Sequence, residues 1–507
     1  MTIVFSSSII IYEKGAGFHN EIFEPEPGRN ALYAGMRKAS TMRHLKDDTA
    51  KDGTHRSGSA LTVDLINGPI MKNLLVFMLP IFASYVFQQL YNAADTAIVG
   101  HFLGERSLAA VGSCVAVFDL MIHFAQGLGN GVSIVVSRAY GASDGDGLRR
   151  AVAGSVVIGT ATVALMTIFS LFGLGPLLRI LGTPDAIYAE ALSYIRIIGG
   201  CILVTFAYNL LSSLLRAIGN STMSLVFLII SSVLNVFLDI LLVSGTGMGV
   251  RGAAYATVIA QGISAALCAV YIVRRAEILL PGKDDFLFNR ALYLELAGQG
   301  YAMAFMSSVV NIGSVILQSG INGLGEIVIA GHTTARKLFM LCALPNISMG
   351  MAISTFVSQN KGAGQRERII RGVKESYIYD LACGAVTVLV LFLFADELAV
   401  LISGSTDPVL VGNVVAYARF AAVFSGVLGI LHQTRLALQG LGEKTTPLVS
   451  SFIELIGKCI FTWLLVPRMG YRAVILCEPL IWCVMTVHLV YSFFSNPYIR
   501  GESGTIA

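Results

Sequence analysis

Charge is scarce in this chain. Only 13% of its 507 residues are Asp, Glu, Lys or Arg, about half the ~25% of a soluble domain. With 55% hydrophobic residues and a mean hydropathy of +0.72, the composition excludes an ordinary water-soluble fold. Net charge is +4, which leaves no electrostatic footprint for nucleic acid. The eight cysteines form no CxxC and no Cys/His cluster; they read as small buried hydrophobes, not as a disulfide framework or a metal site. HExxH, GxSxG and an ATPase domain are all missing. "GLGEKT" (440–445) lacks both the GxxxxGK[ST] spacing and a preceding strand. These absences predict a chain that is not an enzyme, carries no cofactor and holds no resident metal. Energy for any work it does comes from an ion gradient, of H+ or Na+, or from a partner.

What is present is a succession of apolar runs. Residues 1–63 are polar, as in "EIFEPEPGRN" and "HLKDDTAKDGTHRSGS", and read as a disordered cytoplasmic extension. From Leu65 on, twelve runs each reach the ~20 residues that cross a bilayer: 73–100, 107–138, 151–175, 190–216, 223–244, 251–273, 297–322, 327–359, 375–395, 408–438, 446–467 and 471–494. The second, eighth and tenth exceed one span and are expected to tilt or protrude. Loops on the N-terminal side carry fifteen Lys or Arg, Arg216 and Arg435 among them, against five on the other side. That asymmetry places both termini in the cytoplasm.

The chain repeats itself. "VVSRAYGASDGDGLRRAV" (135–152) resembles "FVSQNKGAGQRERIIRGV" (356–373). "RAIGNST" (216–222) aligns with "QGLGEKT" (439–445), and "GVRGAAYAT" (249–257) with "GYRAVILCE" (470–478). The expected fold is an all-α polytopic membrane protein of twelve helices in two six-helix repeats: an N-lobe at 64–273, a charged cytoplasmic linker at 274–296, a C-lobe at 297–495 and a cytoplasmic tail at 496–507. Parallel repeats of this kind characterise transporters, with a substrate site at the repeat interface.

A charged side chain inside a bilayer costs about 3 kcal/mol on the lenient insertion scale, so intramembrane acids are functional candidates. In "QQLYNAADTAIVG" (88–100), Asp95 lies about 8 Å below the outer end of helix 1 by residue count. Asp239 in "LNVFLDILLV" sits at a similar depth on helix 5, and Thr257 on helix 6. Tyr91 and Asn235 lie at i−4 from the two acids, on the same helix faces. Two carboxylates facing each other in low dielectric do not both ionise cheaply. Such a pair can take up and release a proton, or hold Na+ transiently.

The ordered set of motifs resembles the multidrug and toxic compound extrusion (MATE) transporters, and within them the DinF-type branch. The carrying stretches are "LPIFASYVFQQLYNAADTAIVGHFLG" (79–104), "AAVGS" (109–113), "LLRAIGNST" (214–222), "LNVFLDILLV" (234–243), "GVRGAAYAT" (249–257), "AISTFVSQNKGAG" (352–364) and "LALQGLGEKT" (436–445). The resemblance spans about 64–495. It implies an antiporter exporting drug-like or amphiphilic compounds against H+ or Na+, with Tyr91, Asp95, Asn235, Asp239 and Thr257 as the coupling site. It also implies cavity roles for Tyr194 and Asn209, and a bending role for Pro80. Gln88 and Gln89 join that cavity set. The NorM-type acids of helices 7 and 10 are missing from Met306–Asn311 and Leu428–Gln433. The repeat places Lys458 at the position of Asn235 and Glu478 at that of Thr257; a structural Lys458–Glu478 pair is expected, with Glu454 left ambiguous. Arg336 and Lys337 on helix 8 are candidate cavity residues suited to an anionic group. They also keep open a lipid-linked oligosaccharide flippase or a narrow metabolite exporter. The expected setting is a bacterial plasma membrane, with a monomer acting on small molecules.

Overall fold

The computed structural model describes residues 61–180 and 182–502; the extension read over 1–63 lies almost wholly outside them. The described residues form helices and no strand. The first helical segment, Ile70–Gly141, runs for 72 residues, about 108 Å at 1.5 Å per residue, more than twice a bilayer. It breaks at Gly104, whose φ of 79° and ψ of −178° interrupt the hydrogen-bond ladder. The break leaves α1 (70–103) and α2 (105–141).

The N-lobe continues with α3 (Gly145–Phe172), the short α4 (Leu174–Ile180), α5 (Asp185–Gly200), α6 (Ile202–Ala217), α7 (Ser221–Asp239) and α8 (Val250–Arg275). The C-lobe holds α9 (Arg290–Asn322), α10 (Glu326–Gly362), α11 (Arg366–Ser403), α12 (Pro408–Val423), α13 (Ser425–Gly440), α14 (Thr445–Ile460), α15 (Val466–Met469), α16 (Tyr471–Ser495) and α17 (Pro497–Arg500). Pairs α5/α6 and α12/α13 each make one bent span, by 46° and 56°. With each pair counted once and the first segment counted as two, the described residues make twelve spans, six per lobe. The tenth run, too long for one straight span, resolves as the bent α12/α13. The fourth bends as well, at Cys201, which leaves helical geometry just after Gly199 and Gly200.

The repeat is legible in the backbone. Gly104 and Gly325, Gly249 and Gly470, and Ser143 and Gly364 are pairs of left-handed positions, each separated by 221 residues. A π-helical turn follows each of two corresponding helices, at Ile240–Gly245 after α7 and Phe461–Leu465 after α14.

The helices are apolar nearly all round, as a lipid solvent requires. Phe172, Leu401 and Val487 are each more than 70% exposed. Two apolar cores lie inside, one per lobe. Helix α1 belongs to both: Ile70, Leu74, Phe77, Met78 and Ile81 pack into the C-lobe core, Val99 into the N-lobe core. Pro80 sits within this helix, where it removes one backbone hydrogen bond and favours a bend.

The lobes meet where α2 and α10 end, the end that carries the excess of basic residues. Gly141 and Gly362 lie against the backbones of Gln359 and Arg138 there, and about 21 Å further in Gly127 still leaves only 2.8 Å between a would-be Cβ and the Ala304 backbone. Ser358 Oγ donates to Ile134 O at 2.6 Å, and Gln359 Nε2 to Ala217 O at 2.8 Å. Arg138 pairs with Glu295 at 2.5 Å. The entering segment is tied beneath this seam: Val63 N donates to Gly219 O at 2.9 Å and Asn360 Nδ2 to Leu65 O at 3.0 Å.

Most of the basic residues counted as loop cations stand within helices, near their ends, and two of them turn into the polar interior of their own lobes. Arg216, on α6, donates to Ser212, Ser213 and Asn130. Arg435, on α13, is only 6% exposed and pairs with Glu454. Without them the basic excess is thirteen against five.

Candidate functional site

Three N-lobe helices bring the expected coupling residues together. On α7, Asn235 and Asp239 are one turn apart; on α1, so are Tyr91 and Asp95. Asp239 is 0%, Asn235 2% and Thr257 7% exposed. Asn235 Nδ2 donates to Thr257 Oγ1 at 3.4 Å, and Thr257 Oγ1 donates back to Ala253 O of its own helix at 3.1 Å. The Asp95 and Asp239 carboxyls face each other at interaction range, with the phenols of Tyr91 and Tyr194 beside them. The π turn that follows Asp239 holds that acid at a local irregularity, a feature frequent at functional sites.

This cluster is rich in unpartnered acceptors. Both Asp239 oxygens, Asp95 Oδ1 and Asn235 Oδ1 are buried without a hydrogen-bond partner. Each such acceptor costs about 1–3 kcal/mol. Among the described residues no Lys, Arg or His forms an ion pair with either acid. A proton shared by the carboxyls, or one small cation, supplies what the cluster lacks.

The other expected positions separate into two groups. Gln88 is half-buried, whereas Gln89, Asn92 and Thr96 form an exposed polar stripe on α1. Tyr194 is 6% exposed and joins the acid cluster. Asn209 lies on α6, its amide donated to Thr205 O at 2.8 Å. Lys337 is exposed on α10.

Arg336 enters a C-lobe network. Glu478 is held by Lys458 at 3.3 Å, Arg336 at 3.5 Å and the Tyr417 hydroxyl at 2.8 Å. Glu454 is held by Lys458 at 2.9 Å and Arg435 at 3.7 Å. The expected Lys458–Glu478 pair is therefore present, within a larger set of three cations and two acids. His332 packs edge-on against Tyr417. The sequence reading did not single out Tyr417 or His332, and it counted Arg435 only as a loop cation. Arg435 was hidden by its place near a helix end, and Tyr417 by an apolar run that gives no hint of its partner.

The comparisons with known proteins agree with this architecture. The family model MatE matches residues 80–241 and again 302–464, the second match starting at 302 against 80 for the first. The probable multidrug resistance protein YpnP of Bacillus subtilis is 26% identical over 77% of this chain and 87% of its own length. The probable multidrug resistance protein NorM of Thermotoga maritima is 25% identical over 76% and 83%, and an FAD transporter of Shewanella oneidensis 22% over 77% and 87%. Among solved structures, a MATE in the bent conformation superposes with TM-score 0.81 at 24% identity, covering 87% of this chain and 99% of that one. A MOP superfamily transporter from Pyrococcus furiosus does so with TM-score 0.80 at 24% identity. With a family model covering both halves, the chain belongs to the MATE family of membrane transporters and is not an enzyme.

Proposed function

We propose that this chain is a secondary antiporter that exports drug-like or amphiphilic organic compounds in exchange for H+ or Na+. The observation that carries the reading is the buried Asp95/Asp239 pair, with four unpartnered acceptor oxygens on the two acids and Asn235. The basic end faces the cytoplasm on this reading. The lobes are sealed there, so the arrangement is outward-facing. An ion arriving from outside satisfies the carboxyl pair, changes the packing of α1 against α7 and α8, and releases substrate outward. Helix α1 suits that role because its two halves pack into different cores. One charge moving through 100 mV supplies about 2.3 kcal/mol, roughly a 50-fold concentration ratio. The setting we propose is a bacterial plasma membrane, with the chain acting as a monomer.

A second reading rests on the C-lobe network. Three cations against two acids leave one unbalanced positive charge, which favours a substrate with an anionic group, as for the relative named an FAD transporter.

The test is dye efflux from proteoliposomes under a pH gradient and a Na+ gradient imposed separately. Export under one gradient, lost in Asp95→Asn, is the expected result and names the ion. No dye movement under either gradient overturns multidrug export and moves a narrow anionic substrate ahead.

A further inference from the structure

The C-lobe holds another buried acid that takes no part in the ion network. Asp380 on α11 is 0% exposed. It is the fifteenth residue of that helix, about 21 Å in from the basic end. Among the described residues no Lys, Arg or His pairs with it; the titratable groups around it are Tyr377, Tyr379 and Cys383. The Tyr377 hydroxyl is engaged by Thr434 Oγ1 at 2.6 Å. An uncompensated carboxyl at this depth needs a counter-charge or a proton.

The surroundings are a set of oxygens. Gln433 is 0% and Asn346 3% exposed. Gln433 Nε2 donates to Asp380 Oδ1 and to Asn346 O, each at 3.0 Å. That leaves Asp380 Oδ2, Gln433 Oε1 and Asn346 Oδ1 all buried and all without a partner. A single proton on Asp380 satisfies one carboxyl oxygen and one amide oxygen at most. A cation accepts lone pairs from all three. Oxygen-only donors suit a hard cation, and one carboxylate balances one positive charge.

The backbone is arranged to match. Pro345 immediately precedes Asn346 within α10, which frees the carbonyl one turn earlier. Gly429 lets α13 pass directly over the acid: a Cβ there would lie 2.7 Å from Asp380 Cβ and 3.1 Å from Asn346 Nδ2. One turn further along, Gly384 abuts the Ser425–Gly426 backbone at the 56° break between α12 and α13. Broken helices of this kind hold coupling ions in transporters.

We propose that Asp380, Asn346 and Gln433 form a monovalent-cation site in the C-lobe, with Na+ as the probe cation, separate from the Asp95/Asp239 pair. This site does not depend on the export reading. The test removes the N-lobe pair first, in an Asp95→Asn/Asp239→Asn protein, and compares thermal unfolding in NaCl and choline chloride at equal ionic strength. NaCl is expected to raise its Tm by about 2 °C or more, and adding Asp380→Asn to abolish that rise. Without Na+, the isosteric Asp380→Asn should unfold no earlier than its parent, because a buried charge has been removed. Gln433→Met keeps the acid and should weaken Na+ about tenfold in a titration of the same shift. A Na+-insensitive parent means that Asp380 is a neutral hydrogen-bonding acid and overturns the proposal. So does a Na+ shift that survives Asp380→Asn, or one that Gln433→Met leaves unchanged.

Discussion

Removing Glu478 should destabilise the protein more than removing Lys458, although the two form one pair. The C-lobe network has three cations, Arg336, Arg435 and Lys458, and two acids, Glu454 and Glu478. Lys458→Met leaves two cations and two acids, each acid still paired: Glu454 with Arg435 at 3.7 Å, Glu478 with Arg336 at 3.5 Å and with Tyr417 at 2.8 Å. Glu478→Gln leaves three cations against Glu454 alone, with Lys458 only 2% exposed. Breaking a buried pair from one side costs about 3–5 kcal/mol. Lys458→Met should fall near the low end and Glu478→Gln near the high end. At roughly 2 °C per kcal/mol for a large chain, the Tm should fall by about 6 °C and about 10 °C. The assay is thermal unfolding of purified protein followed by the fluorescence of Trp463 and Trp482, each in the C-lobe. Equal shifts, or the reverse order, refute the charge count. An unchanged Tm with lost transport shows that the network serves substrate rather than stability.

Other consequences follow from single contacts. Tyr417→Phe removes the 2.8 Å hydrogen bond to Glu478 and should cost about 1.5–3 kcal/mol, read as a lower Tm. Gly104→Ala meets no neighbouring atom but forces a φ of 79° on a side chain; about 1 kcal/mol should be lost, with transport retained in the surviving fold. Gly141→Val pushes against the Gln359 backbone at the seam. It should part the lobes at the basic end and increase labelling of a Ser358→Cys variant by an impermeant maleimide from that side. Thr257→Val removes the 3.4 Å hydrogen bond that Asn235 donates to the Thr257 hydroxyl and should lower gradient-driven efflux about tenfold while leaving Tm within about 1 °C.

Much of this fold is written in hydropathy. Twelve apolar runs correspond to twelve spans because a bilayer admits little else than a continuous helix of that length. Their ends shifted where polar residues continue a helix beyond the lipid: α11 starts at Arg366, nine residues before the apolar run at 375. The break at Gly104 lies in the expected turn. The bend at Cys201 was not legible, because nothing in "IIGGCILV" separates a bent span from a straight one. In the candidate site, the i, i+4 spacing of Tyr91 with Asp95 and of Asn235 with Asp239 was enough to put four residues on facing surfaces, and depth alone added Thr257. The C-lobe was harder. Arg435 looks like a loop cation in sequence, and only the packing of α13 against α14 turns it toward Glu454. Asp380 sits five residues into an apolar run, visible as an intramembrane acid, yet its amide neighbours come from α10 and α13, which sequence order does not bring together.

The most direct test of ion coupling at Asp95 and Asp239 separates binding from driving force. Substrate affinity should be measured on purified wild type, Asp95→Asn and Asp239→Asn, beside gradient-driven efflux and gradient-free substrate exchange in proteoliposomes. The account predicts that both variants bind substrate within about threefold of wild type and still exchange it, yet lose gradient-driven export. Export that persists in both variants under the same gradient would contradict it.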